Sequence, residues 1–174
     1  MSVRRIAVLG AESSGKSTLC GALARRYDTV WVPEYLREFV DTHKRVPFEA
    51  DQYGIACTQR AREDAAAVDA NAFLFCDTTP LMTALYSQVY WGRVDAGLAA
   101  LAATHDYALT LVTAPDTPWV ADGLMRESEE VRQCVFSMLV QELDARGVRF
   151  VLLEGDLPHR LRQVEAALKV LKPF

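Results

Sequence analysis

The sequence is poor in the features that would place it in a membrane, a secreted scaffold or a metal cage. No apolar run approaches the ~20 residues of a membrane-spanning helix. The apolar stretch behind the N-terminal Met-Ser-Val-Arg-Arg covers only residues 6–9, too short for the core of a signal peptide. Cysteine is sparse. Cys20, Cys57, Cys76 and Cys134 form no C-x-x-C pair and lie far from the three histidines, so neither a zinc site nor a disulfide framework is supported. Reduced, buried thiols in a cytoplasmic protein are the expectation. Positive charge is not in excess: 19 Lys and Arg stand against 23 Asp and Glu, a net charge of -4. That balance argues against nucleic acid held on a broad basic surface, but leaves room for a local anion site made of a few amides and one lysine. Repeats and long linkers are absent, and the one biased stretch, the Ala-rich 96–103, has good helix propensity.

What remains is an ordinary globular composition. With 51% apolar and 24% charged residues, a chain of 174 residues can bury a sizeable core, and its length suits one domain over 1–174. Five short apolar runs, 5–9, 29–32, 72–76, 107–112 and 148–153, read as strands. They mostly lack polar alternation, as expected of parallel strands covered on both faces. Helical spacing fills the gaps. Leu19, Cys20, Leu23 and Ala24 share one face. Val131, Cys134, Val135, Met138, Leu139 and Leu143 make a longer stripe stopped at Gly147, and Leu161, Val164, Leu168 and Leu171 follow Pro158. Alternating strands and helices predict an α/β sandwich around a mainly parallel sheet.

Residues 10–17 read Gly-Ala-Glu-Ser-Ser-Gly-Lys-Ser, with Thr18 next. This is a full G-x-x-x-x-G-K-[ST] phosphate loop in the right context, behind a strand and ahead of an amphipathic helix. Gly10 and Gly15 let successive amides turn inward, across Ser13 and Ser14, and the helix starting near Lys16 adds its positive end. Lys16 is placed for the outer phosphates of ATP and the Ser17 hydroxyl for magnesium. Glu12 and Ser13 form the crown, where a second substrate can approach. A guanine-reading lysine is missing from Thr113-Ala114-Pro115-Asp116, and Asp77-Thr78-Thr79-Pro80 is not a D-x-x-G switch. The chain is also short for a large ring-forming ATPase. A small-molecule kinase is the class left.

Two carboxylates stand at strand ends, where open parallel sheets collect ligands. Asp77 closes Phe73-Leu74-Phe75-Cys76 and is the expected magnesium ligand; a helix-capping role is the plainer alternative. Glu34 follows Val30-Trp31-Val32-Pro33 and suits a general base or a grip on substrate hydroxyls, with Tyr35 and Arg37 beside it and Arg37 able to orient it or meet a phosphate. After the fourth strand, residues 115–132 carry two prolines, Gly123, Arg126 and Arg132, the makings of a short lid that brings arginine charge to the transferring phosphoryl group. Trp119 offers a stacking face, and Asp116 and Asp122 suit ribose hydroxyls. The spacing leaves open whether Arg126 or Arg132 is the lid arginine. Gln59, Arg60 and Arg62 read as a charged helix surface, and Tyr86 and Tyr90, one turn apart, as core.

Together these residues resemble the ribosylnicotinamide kinase domain of NadR-type proteins over nearly the whole chain. The likeness rests on Gly10 to Thr18, Pro33-Glu34-Tyr35 with Arg37-Glu38, Phe75-Cys76-Asp77-Thr78-Thr79, and above all Asp116-Thr117-Pro118-Trp119-Val120-Ala121-Asp122-Gly123-Leu124. The resemblance implies a nucleoside-kinase-like sheet of strand order 2-3-1-4-5. It also implies ATP- and magnesium-dependent phosphorylation of the 5′-hydroxyl of nicotinamide riboside to nicotinamide mononucleotide. Its expected form is a stand-alone kinase, without adenylyltransferase or DNA-binding parts. Where the family pattern reads Gly-Leu-Arg, this chain has Gly123-Leu124-Met125-Arg126, a shift of one residue at the lid arginine. A kinase for another nucleoside or cofactor precursor, and a nucleotide-sensing module without turnover, are the competing expectations.

Overall fold

All five apolar runs form strands of one parallel sheet. The computed structural model describes residues 3–120 and 128–171. Its strands are β1 (Arg4–Leu9), β2 (Trp31–Val32), β3 (Phe73–Asp77), β4 (Leu109–Thr113) and β5 (Phe150–Leu153), in the order β2-β3-β1-β4-β5. The helices between them are α1 (Lys16–Arg26), α2 (Tyr35–His43), α3 (Gln52–Ala66), α4 (Pro80–Trp91), α5 (Ala96–Ala103), α6 (Glu129–Ala145) and α7 (Leu157–Val170), with a 3-10 turn at Glu49–Asp51 before α3.

Successive residues of β1 serve opposite cores. Ile6 and Val8 pack with Leu19 and Leu23 of α1, and Val164 and Leu168 of α7. Ala7 and Leu9 pack with Leu81 and Leu85 of α4, and Val135, Leu139 and Leu143 of α6. Both faces of the sheet are thus covered, which is why its strands read as unbroken apolar runs. This is the three-layer α/β fold of P-loop kinases.

Several elements differ in detail from the sequence expectations. β2 shrinks to two residues because Thr29 spends its hydroxyl on the Phe73 carbonyl, 2.7 Å away, and Pro33 has no N–H to extend the ladder. On α6 the buried stripe runs Val135, Leu139, Leu143, at intervals of four, which turns Cys134 outward. Cys20 and Cys76 are buried; Cys57 is only partly so. Tyr90 is 49% exposed and so is not core. Arg60 is not a free solvated side chain: both its terminal nitrogens bind the Asp106 carboxylate, at 2.7 and 2.9 Å.

Candidate active site

Parallel strands deliver all their carboxyl ends to one rim, and that rim carries the phosphate loop, Glu34 and Asp77. Val8 pairs with Asp77, so the chain leaving β1 into Gly10 runs beside the end of β3. Gly10 is required by crowding: a Cβ there would collide with the Thr113 hydroxyl and lie 2.8 Å from Ser14 Oγ. Gly15 sits at φ 84 as the cap of α1, with no side chain covering the first amides of that helix and no acidic residue in its first turn. Those uncovered donors form an anion site. Ser13, Ser14, Gly15, Lys16, Ser17 and Thr18 line a cavity of about 370 Å3 that is completed by Glu34, Arg37, Arg160, Thr117, Pro118 and Val120. Lys16 Nζ rests on the Ala11 carbonyl at 2.9 Å. The Ser14 hydroxyl does not face the cavity. It is turned inward onto the Ala11 carbonyl and Thr113 Oγ1, leaving Ser14 its main chain as what it offers a ligand.

Asp77 is fully buried. Its Oδ2 accepts the Ser17 hydroxyl at 2.5 Å, while its Oδ1 has no hydrogen-bond partner among the described residues. Burial pushes this carboxyl above the ordinary Asp range, and Lys16, Ser17 and Arg37 pull it back only in part. A buried carboxylate with one orphaned oxygen is costly unless a cation completes it. No group of three or more acidic, His or Cys side chains forms a metal cage among the described residues. Magnesium needs none, since it is usually held by one or two protein oxygens, waters and substrate phosphates. The residues present therefore fit that ion.

Glu34 is the N-cap residue of α2, yet its side chain makes no capping bond. Its carboxylate, 17% exposed, lies 3.9 Å from Arg37 Nε. Glu34 also walls a second, smaller recess with Gln52, Gln59, Thr78, Thr83 and Tyr86. Tyr86 packs against the core of Leu81, Leu85 and Val135, as expected, and also lines this recess. Tyr35 differs: its ring lies under the Arg62 guanidinium, 4.5 Å from ring centre to Cζ, and is not among the residues lining either space. Gln59, read from sequence as part of a charged helix, is buried and lines the second recess. A signal for it does exist, since Gln52, Gln59 and Glu63 recur at intervals of seven and four on the buried face of α3.

The segment after β4 straps the phosphate loop. Ser13 Oγ donates to the Val120 carbonyl at 2.8 Å, and Thr117 Oγ1 donates to the Ser13 carbonyl at 2.8 Å. Arg132, 4% exposed, donates to the carbonyls of Ser13, Pro115 and Thr117 and pairs with Glu129. That arginine is committed to main chain, so it is a clamp and not a lid charge. Arg160, missed in the sequence, donates to the carbonyls of Ser14 and Ala114 and to the Asp116 carboxylate. Asp116 is thereby tied to Arg160 and, at 2.6 Å, to the Gly155 amide. Trp119 is half-buried with its Nε1 lacking a partner among the described residues, and it is not among the residues lining the cavity. Asp122 and Arg126 lie outside the described residues.

Fold and site together define a P-loop protein with the fold of the small P-loop kinases. A family model described as AAA domain (AAA_28) matches residues 5–160, and the chain belongs to that family. It is 36% identical over 159 residues to the trifunctional NAD biosynthesis/regulator protein NadR of Escherichia coli (strain K12), across 88% of this chain and 39% of that protein. Two solved structures share the fold over 99% of the chain. One is NadR protein in complex with NR, with TM-score 0.79 and 23% identity over 54% of that chain. The other is NadR protein in complex with NAD and AMP-PNP, with TM-score 0.78 and 21% identity over 51% of that chain. The chain thus spans about two fifths of the curated relative. Among the described residues, no helix is long and apolar enough to cross a membrane.

Proposed function

We propose that this chain is an ATP- and magnesium-dependent kinase that phosphorylates the 5′-hydroxyl of nicotinamide riboside to give nicotinamide mononucleotide. The observation that carries the reading is the position of Glu34, which walls both the phosphate cavity and the recess under α2, α3 and α4. A carboxylate between a phosphate cradle and a polar recess is where an acceptor hydroxyl must give up its proton. The relatives support the choice of acceptor: a NadR protein binds NR, and another NadR structure holds an ATP analogue.

The geometry of the described residues supports the roles of the phosphate loop, Asp77, Glu34 and Arg37, and the resemblance to NadR-type kinases supports those of Asp122, Trp119 and Arg126. The amides of the phosphate loop and α1 hold the phosphates. Lys16, released from the Ala11 carbonyl, follows the transferring charge. Ser17 and the orphaned oxygen of Asp77 would hold magnesium, which when bound neutralises phosphate oxygens. Glu34 orients the riboside hydroxyl and takes its proton, with Arg37 holding the carboxylate. Asp122 and Trp119 contribute to the riboside side, and Arg126 supplies the lid charge. The test is a nucleoside panel with magnesium and ATP, reading phosphorylated product by mass. Nicotinamide mononucleotide is the expected product. Another phosphorylated nucleoside overturns the acceptor, and ADP release that no nucleoside stimulates overturns the kinase reading. Glu34→Gln is expected to lower turnover ~10²–10⁴-fold while calorimetric ATP affinity stays nearly intact.

A further inference from the structure

β2 ends at Val32, paired with Cys76, and Pro33 follows. Beyond that pair the sheet no longer ties the second strand to the third. The two carboxylates of the site lie just past this point, Glu34 on one chain and Asp77 on the other. One buried side chain spans the gap. Gln59 of α3, 1% exposed, accepts the Tyr35 amide on its Oε1 at 2.8 Å and donates from Nε2 to the Asp77 carbonyl at 3.4 Å. The assignment of its two ends is forced, because an amide N–H can only donate and a carbonyl can only accept. Tyr35 is the first residue of α2, so its amide has no partner within the helix. Gln59 supplies that partner directly behind Glu34.

We propose that Gln59 is a positioning residue that sets the separation of Glu34 from Asp77 and so the alignment of acceptor with phosphate. Although Gln59 lines the second recess, both of its polar ends are spent on main chain, so it acts on the chemistry through the segments it joins. A side chain carrying one donor and one acceptor at this length is needed, which only glutamine supplies in neutral form. The inference rests on the kinase reading for what the two carboxylates do. The bridge itself rests on the two hydrogen bonds alone.

The test uses the full chain with Gln59→Met, which keeps length and removes both bonds, and Gln59→Asn, which keeps the amide but is too short to span. Two quantities are read. The first is amide exchange at Tyr35 against Val40 of the same helix. The second is the split between turnover, normalised to ATP-binding sites by calorimetry, and ATP affinity. Misplacement of reacting groups by about 1 Å costs on the order of 10²-fold in rate. Both variants are expected to exchange Tyr35 at least ~10-fold faster with Val40 unchanged, and to lose roughly 10–100-fold in kcat with ATP Kd within about twofold. A purely structural role would lower the count of binding sites and leave kcat per site alone. That result overturns the proposal, as does unchanged exchange at Tyr35. A wild-type chain that turns over no nucleoside instead overturns the kinase reading, and the exchange arm then still decides whether the bridge exists.

Discussion

Two titratable groups packed around Tyr107, the buried Glu63 and the half-buried His105, should hide each other's pH dependence. Glu63 of α3 is fully buried and accepts the Tyr107 phenol on both oxygens, at 2.8 and 3.0 Å; Arg5 and Arg60 stand 3.9 Å away. Burial raises its pKa from 4.5 to about 7, with the Tyr107 hydrogen bond and the two arginines opposing. The His105 ring lies tilted against the same Tyr107, 4.7 Å between centroids, and bonds Thr110 at 2.8 Å; burial, aided by Arg146, lowers its pKa from 6.5 to about 4. The signs are opposite. The folded state holds the Glu63 proton more tightly than the unfolded chain, so its stabilisation is full below 4.5 and lost as pH rises through about 7. The folded state refuses the His105 proton, so its contribution is full above 6.5 and lost as pH falls toward about 4. At about 1.4 kcal/mol per pKa unit, each group changes stability by about 2 kcal/mol between pH 7.5 and 5, in opposite directions. Glu63→Gln keeps an acceptor for Tyr107 and unmasks His105. Relative to wild type, its stability should fall by about 2 kcal/mol on acidification across that range. His105→Gln, whose amide can still reach Thr110, should gain a similar amount. Urea unfolding at a series of pH values reads both, and the difference from wild type cancels every other titrating group. Parallel pH profiles for all three proteins would refute the reasoning.

Three further outcomes follow from the site. Lys16→Ala removes the cation of the cradle and should lower turnover ~10²-fold or more at saturating ATP, read as ADP release. Asp77→Asn removes the buried charge while keeping shape, so the variant should need far more magnesium and gain thermal stability in its absence; an unchanged magnesium titration would remove Asp77 from the metal site. Gly10→Ala drives a Cβ into Thr113, and overpacking of roughly 1–3 kcal/mol should lower Tm by several degrees.

The sheet was legible because parallel strands covered on both faces are mostly apolar without polar alternation, so the runs needed no partner to be recognised. The phosphate loop was legible because its spacing is dictated by the ligand, with Gly10 and Gly15 at points where a side chain collides or the backbone is left-handed. The illegible residues are those whose meaning depends on distant main chain. Gln59 acts on residues 35 and 77, Arg132 on 13, 115 and 117, and Arg160 on 14 and 114. A local pattern assigns such arginines to solvent or to phosphate, since charge is visible in sequence and carbonyl partners are not. The setting of Tyr35 was hidden for a related reason. An aromatic beside a strand-end carboxylate looks available, but Arg62, 27 positions on, lies over its ring.

The two buried arginines also explain how a loop of small residues holds its amides toward a ligand. In a phosphate loop each inward N–H leaves a carbonyl that must go elsewhere. Here Ser13 gives its carbonyl to Thr117 and Arg132, and Ser14 gives its carbonyl to Arg160. Both arginines are 3–4% exposed, and each also binds carbonyls just after β4. Charge-assisted bonds of this kind are stronger than neutral ones, and their fork geometry fixes two segments at once. The positive charge near the cavity therefore has two uses. Among the described residues Lys16 is held by one exchangeable bond to the Ala11 carbonyl, which on the proposed reading lets it follow the transferring group, whereas Arg132 and Arg160 are locked into the scaffold and keep the cradle shaped.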